Sequence, residues 1–177
     1  ILVELGMQAG ELPEMWNIEH PEEVVSLHQA YYAAGANIVN TNTFGVNSLK
    51  YDDEKLETLV KAAINNAKEA KRRVEAGEVL TGPLSKYIHP MEVKDKPHYI
   101  ALDIGPSGKL LKPFGDLDFE ECIQSYAKMI QLGEAEGVDL IMIETMNDSY
   151  ETKAAVIAAK ENCNLPIFVT NVYDEHH

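Results

Sequence analysis

Cysteine, basic charge and long apolar runs are all scarce in this sequence. Its two cysteines, Cys122 and Cys163, are too few for a disulfide framework, and neither has a second cysteine or a histidine at the spacing of a zinc site. Cys122 falls on the apolar stripe of a predicted helix, as a small core residue would, and Cys163 falls between a helix and the next strand. The 15 Lys and Arg against 29 Asp and Glu leave a formal charge of −14. The cations are scattered, which excludes a phosphate-tracking surface and with it a nucleic-acid partner. No window approaches the ~18 continuous apolar residues of a membrane span. Ile1 to Gly6 carry neither a basic leader nor a long apolar run, so a cytoplasmic protein without a membrane partner is expected. His20, His28, His89 and His98 are dispersed, and the terminal His176-His177 reads as the stub of a purification tag rather than as two ligands.

What the sequence does have is alternation. Ile38-Val39 leads into Asn40-Thr41-Asn42-Thr43, Tyr99 to Leu102 into Asp103, Leu140 to Ile143 into Glu144, and Ile167 to Val169 into Thr170-Asn171. Each is a short apolar run ending in polar residues, the pattern of a buried parallel strand. Between the runs lie helices with legible ends. The first opens at His20-Pro21-Glu22-Glu23 and closes at Gly35, and the second carries Leu56, Leu59, Val60, Ala63, Ala67 and Ala70 on one face and stops at Gly77. The third runs from a cap at Asp118 to Gly137, and the fourth starts near Asp148, with Glu151 placed as the far side of a capping box. Residues 81–97, with three prolines and no period, read as an insertion before the next strand.

Repeated strand-helix-strand units predict an α/β fold with a parallel sheet. The Gly-x-Gly-x-x-Gly turn of a doubly wound sheet is absent, so a (β/α)₈ TIM barrel is favoured. A whole barrel takes roughly 250 residues, so the 177 here form a single partial barrel domain of about five strands and four helices. In such a barrel the chemistry gathers at the carboxyl ends of the strands. The candidates are therefore Asn40, Asn42, Thr43, Asp103, Glu144, Thr145, Thr170 and Asn171. Glu144 follows four apolar residues, so its carboxylate sits at the rim of the core and requires a cation, either a ligand ammonium or a neighbouring Lys or Arg. Asp103 either caps the turn Ile104-Gly105-Pro106-Ser107-Gly108 or contacts a ligand. Asn42 and Thr43 offer neutral hydrogen bonds to a ligand, or satisfy the strand end. Trp16 is a lid over the barrel mouth or a packing anchor.

Three stretches carry a resemblance. Pro13-Glu14-Met15-Trp16-Asn17-Ile18-Glu19-His20-Pro21-Glu22, Thr41-Asn42-Thr43-Phe44-Gly45-Val46-Asn47 and Asp103-Ile104-Gly105-Pro106-Ser107-Gly108 are joined by Glu144-Thr145 and Lys153-Ala154-Ala155. Together they resemble the homocysteine-binding domain of the homocysteine S-methyltransferases, in the form found in cobalamin-dependent methionine synthases. The resemblance implies transfer of a methyl group to the thiol of L-homocysteine, with zinc and methylcobalamin as cofactors and with cobalamin and folate modules as neighbours. It assigns Glu144 to the homocysteine amino group, the role that its strand-end position suggests on other grounds. It also marks two departures. The family's first strand runs into an Asp-Gly-Ala-Met-Gly-Thr turn, where Val3-Glu4-Leu5-Gly6-Met7-Gln8 stands here. The family's three zinc cysteines have no counterparts in this sequence. Two other readings are a non-catalytic half-barrel that self-associates and a different barrel enzyme sharing the strand-end glutamate.

A partial barrel leaves two sheet edges unpaired, and open edges with apolar faces are templates for pairing. The chain is therefore expected to form a two-fold homodimer. Light scattering at micromolar concentration checks this, and a cooperatively unfolding monomer would count against it.

Overall fold

The apolar runs become strands in the computed structural model, which describes residues 1–87, 95–173 and 175. Strands β1 (Ile38–Asn40), β2 (Tyr99–Ile104), β3 (Leu140–Met146) and β4 (Ile167–Asn171) are parallel and lie side by side in chain order. The helices are α1 (Trp16–Glu19), α2 (Pro21–Ala33), α3 (Asp53–Glu75), α4 (Phe119–Ala135) and α5 (Ser149–Asn162). Each strand-to-strand crossover carries one of the long helices, so every strand ends on the same side of the sheet.

Local chemistry explains where the helices begin. Asp52 accepts a hydrogen bond from the Lys55 amide at 2.8 Å, and Asp53 and Glu54 add negative charge to the first turn of α3 while Arg72 and Arg73 occupy its last. Asp148 caps α5 by accepting from the Tyr150 and Glu151 amides. Two of the expected caps differ. Asp118 precedes α4 without a capping bond, its carboxylate being held by Lys112 at 2.9 Å. Glu151 does not reach back to its own helix start, for a reason that belongs to the site below.

Alternation along the strands separates two faces. Leu102 faces the helices, where an added Cβ on Gly133 of α4 would lie 2.6 Å from its side chain. Ile100 and Ile104 share that face, and so do Val39, Ile141 and Ile143, all in one cluster with Leu56, Leu59, Ile64, Tyr126, Met129, Ala154 and Ala158. The opposite face carries Asn40, Asp103 and Glu144 towards the carboxyl ends. Packing thus fixes which polar residues meet.

The count of about five strands is not met among the described residues, which contain four. Leu2–Leu5 at the chain's start form a 3-10 turn rather than a strand, closed by Gly6 at φ 117. The turn is closed by local bonds, Leu5 donating to the Ile1 carbonyl, Gly6 to that of Val3 and Met7 to that of Leu2, which takes the segment out of the extended form a strand needs. The 81–97 insertion contains a 3-10 turn at Pro83–Tyr87. Residues 88–94, including His89, and Asp174 and His176-His177 lie outside the described residues. No helix among the described residues is long and apolar enough to cross a membrane. Cys122 is buried in the core as expected, and Cys163 is half-buried at the end of α5, where its thiol donates to the Ala159 carbonyl.

One irregularity interrupts the sheet. Between the pairs Ile143↔Val169 and Met146↔Asn171, β3 takes three steps where β4 takes two, a bulge of one residue. The extra residue lets Ile143 and Met146, an odd number apart, both enter the core cluster, while Glu144 keeps the opposite face. It is also strained: Thr145 adopts φ 58, a left-handed conformation unfavourable for a β-branched residue, and its amide donates to Thr170 Oγ1 at 3.0 Å. Left-handed geometry costs a non-glycine residue about 1–2 kcal/mol, and glycine loses about 0.4–1 kcal/mol through the unfolded chain. Thr145→Gly should therefore leave the denaturation midpoint unchanged or raise stability by up to about 1.6 kcal/mol. A loss larger than that in urea melts would show that the threonine side chain, not the strain, dominates this position.

Candidate functional site

The carboxyl ends of β1, β2 and β3 converge on a cavity of about 390 Å³, lined by Asn40, Thr41 and Asn42, by Asp103 and Glu144, and by Leu27, His28 and Tyr31 of α2. It lies beside the unpaired edge of β1. Its floor is sewn together by backbone and hydroxyl groups. Thr41 donates its amide to the Ala101 carbonyl at 2.9 Å and accepts the Asp103 amide on its hydroxyl at 3.0 Å. Thr43 donates its hydroxyl to the Asp103 carbonyl at 2.7 Å. Asp103 is thereby held at both its amide and its carbonyl, and its side chain has little freedom but to point into the cavity.

There it meets Glu144. Asp103 is buried and lines the same cavity as Glu144, and its Oδ1 is sealed from solvent without a hydrogen-bond partner. Burial first, then the adjacent Glu144 charge, pushes the Asp103 carboxyl up to about 8. Glu144 accepts one long hydrogen bond, 3.3 Å from Asn40 Nδ2, and among the described residues no Lys or Arg pairs with it. The salt-bridge alternative for Glu144 is thus absent from this arrangement. The turn-capping alternative for Asp103 is absent too, because the amide of Ser107 donates instead to Glu151 at 2.7 Å. That is why Glu151 does not cap its own helix: its buried Oε1 also accepts the Tyr126 hydroxyl at 2.8 Å, tying α4 and α5 to the Gly105–Ser107 turn.

The other candidates take different places. Asn42 lines the cavity, but its side-chain amide donates to the Pro13 carbonyl at 2.6 Å and its own carbonyl accepts from Asn17 at 2.7 Å. Thr43 is fully buried and reaches the cavity only through the Asp103 backbone. Thr145 is exposed on the bulge that aims Glu144, and Thr170 holds that bulge. Asn171 is turned to α5, where it accepts from Thr152 at 3.0 Å. Trp16 is an anchor: it is buried, stacks on His20 at 4.2 Å between ring centroids and donates to Glu11 at 3.1 Å. Glu4 lines a separate apolar cavity with Ile1, Leu27 and Tyr87.

Several residues that shape the site carry no sequence signal of their own. Glu14 is buried and accepts Lys50 Nζ at 2.5 Å and the Tyr51 hydroxyl at 2.9 Å. Burial alone would raise its carboxyl, but these bonds hold it below the ordinary range. The pair locks the Pro13–Glu19 segment to the loop after β1. That loop also presses on the next, since a Cβ on Gly105 would lie 2.7 Å from the Phe44 ring and from its carbonyl oxygen. His28 faces the cavity with Nε2 unpartnered, and burial pushes its imidazole down to about 4, leaving it neutral. Among the described residues no group of three metal-ligating side chains includes it.

A sequence model of the homocysteine S-methyltransferase family matches residues 5–177. The methionine synthase of Mycobacterium leprae (strain TN) is 27% identical over 162 residues, an alignment covering 88% of this chain and 12% of that protein. The fold matches the homocysteine methyltransferase MmuM from Escherichia coli in its metallated form, with a TM-score of 0.75 at 18% identity over 99% of this chain and 61% of that one. The oxidized form gives 0.76 at 17% identity, over 99% and 60%. The chain therefore spans 12% of the methionine synthase and 60% to 61% of these two structures. Its parallel sheet and flanking helices are part of a TIM barrel of that type, and the chain belongs to the homocysteine S-methyltransferase family.

Proposed function

We propose that this chain supplies the amino-acid-recognising wall of a homocysteine methyltransferase site, with Glu144 receiving the ammonium group of L-homocysteine. The observation that carries the reading is the acidic corner: two carboxyl groups at adjacent strand ends, facing a cavity and unmatched by any cation among the described residues. A cationic amino group fits it, because a buried carboxylate without a partner is costly and a ligand ammonium removes that cost. Neutral Asn40 completes the wall, and Asn42 and Thr43 act by holding the strand end in place.

Methyl transfer to the thiol, with methylcobalamin as donor and folate and cobalamin modules alongside in the cytoplasm, is the finer form of this reading, and the methionine synthase relative supports it. The zinc that the family implies does not fit the residues described here, among which no group of three His, Cys, Asp or Glu side chains is placed to hold a metal ion. Cys122 packs in the core and Cys163 lies at a helix end, so neither offers a thiolate to the cavity. Within this chain the chemistry is therefore recognition and orientation of the amino acid.

A second reading, self-association of the half-barrel, has its own support. β1 and β4 are the two edges of the sheet, and Phe168, Val169, Val172 and Tyr173 on or just after β4 are exposed.

In a protein carrying the complete barrel, Glu144→Gln should weaken L-homocysteine binding by about 1.5–3 kcal/mol, the cost of a lost charge-assisted hydrogen bond. Calorimetric titration reads this directly, and an unchanged affinity would remove Glu144 from the site.

A further inference from the structure

The acidic corner has an inconsistency that only a proton resolves. Asp103 and Glu144 line one cavity from adjacent strand ends, and Asp103 Oδ1 is buried without a hydrogen-bond partner, yet two ionised carboxylates are both acceptors and neither can satisfy the other. The threonine bonds on either side of Asp103 and the bulge at Thr145 prevent the two side chains from swinging apart cheaply. No donor reaches Asp103 Oδ1 among the described residues.

The remaining groups around the cavity cannot take over the role of counter-charge. From α2, His28 is buried and neutral and Tyr31 is a phenol; from β1 come only the amides and hydroxyl of Asn40, Thr41 and Asn42; β3 contributes Glu144 itself. No lysine or arginine is in the lining.

We propose that Asp103 and Glu144 hold one proton between them in the empty site, and that a ligand's ammonium group displaces it, so that both carboxylates receive the ammonium. This deepens the assignment of Glu144 to the homocysteine amino group and rests on it for the identity of the ligand. The balance is simple: the O–H bond of the shared carboxyl breaks, its proton leaves to solvent, and the incoming R–NH₃⁺ keeps its three protons and donates hydrogen bonds to both carboxylates. The carboxyl pair itself passes from one negative charge to two, and the ammonium restores the balance, so the net charge of the corner is unchanged when the ligand binds. A neutral or anionic analogue finds no gain in displacing the proton, so the pair selects for an amino group.

The test uses the full chain and carbon-13 carboxyl NMR with labelled aspartate. One aspartate carboxyl should titrate with a midpoint near pH 8. It should be missing from Asp103→Asn and move to lower pH in Glu144→Gln. Methylammonium chloride should lower the midpoint in the unmodified chain, by about one pH unit for each tenfold rise in concentration above its dissociation constant, whereas the same concentration of sodium chloride should not. L-Homocysteine should act like methylammonium, and 4-mercaptobutanoate, which lacks the amino group, should leave the midpoint in place.

Stability gives an independent readout. A carboxyl raised from 3.8 to about 8 stabilises fully below the lower value and loses that contribution as pH rises through the upper one. Asp103→Asn should therefore flatten the decline in stability between those limits. A chain with no aspartate titrating above the ordinary range, or one whose midpoint ignores both methylammonium and L-homocysteine, overturns the proposal. A response to methylammonium without one to L-homocysteine upholds the ammonium receptor and overturns the homocysteine assignment. The titration of the unmodified chain decides the matter even where a variant folds poorly.

Discussion

Two carboxyl groups held against each other in a poorly solvated corner are the constraint on which the rest of this site depends. A parallel sheet delivers all its carboxyl ends to one side, so charged residues that follow apolar strands are brought together whether or not their charges agree. Here β2 delivers Asp103 and β3 delivers Glu144 to one cavity, and like charges brought near each other repel more strongly as water is removed. The structure does not relieve that repulsion by letting the side chains turn to solvent. Thr41 and Thr43 hold the Asp103 backbone, and a strained Thr145 sets the direction of Glu144. Strain and repulsion at one point, supported by a well-packed cluster behind it, are the signature of a place built to bind.

The contrast with the other buried carboxylates sharpens this. Glu14 accepts from Lys50 and Tyr51, and Glu151 accepts from Tyr126 and the Ser107 amide. Each is a saturated group whose bonds run between elements: Glu14 fixes the segment before α2 to the loop after β1, and Glu151 fixes the loop after β2 to α4 and α5. Removing either would leave its donors without an acceptor and loosen a loop. Asp103 is nearly as buried as they are and is not saturated. Burial alone does not distinguish a structural carboxylate from a functional one, whereas the number of donors facing it does.

The alternation of apolar runs and amphipathic segments made the parallel sheet, the four long helices and the polar strand ends legible, because periodicity and capping are local properties. Asp52 and Asp148 cap as their positions suggest. What was not legible depends on distance in sequence. The start of the chain looked like a strand position, yet glycine at Gly6 and local amide bonds turned Leu2–Leu5 into a 3-10 turn. Glu151 read as a capping-box residue, but an amide 44 positions away was the stronger claimant. Asn42 and Thr43 were rightly placed at the strand end, although whether they faced a ligand or the protein turned on Pro13 and Asp103, which no spacing rule connects to them. For Glu144 and Asp103 the type of residue and its strand-end position were visible, and their mutual contact was not.

The donor set of the cavity also bears on how a thiol methyltransferase site can be divided. Carboxylate and amide oxygens are hard ligands suited to an ammonium, while a thiolate bound to a soft metal calls for sulfur and imidazole. Placed together, free carboxylates would compete for the metal, and the metal's charge would hold both in the ionised state and remove the proton-sharing that discriminates for an amino group. Homocysteine carries its amino group and its thiol at opposite ends of a short carbon chain, so a site can read the two in separate neighbourhoods of one barrel rim. The wall formed by the ends of β1 to β3 with α2 has the chemistry of the first neighbourhood: two acids, two amides, a neutral imidazole and no thiol.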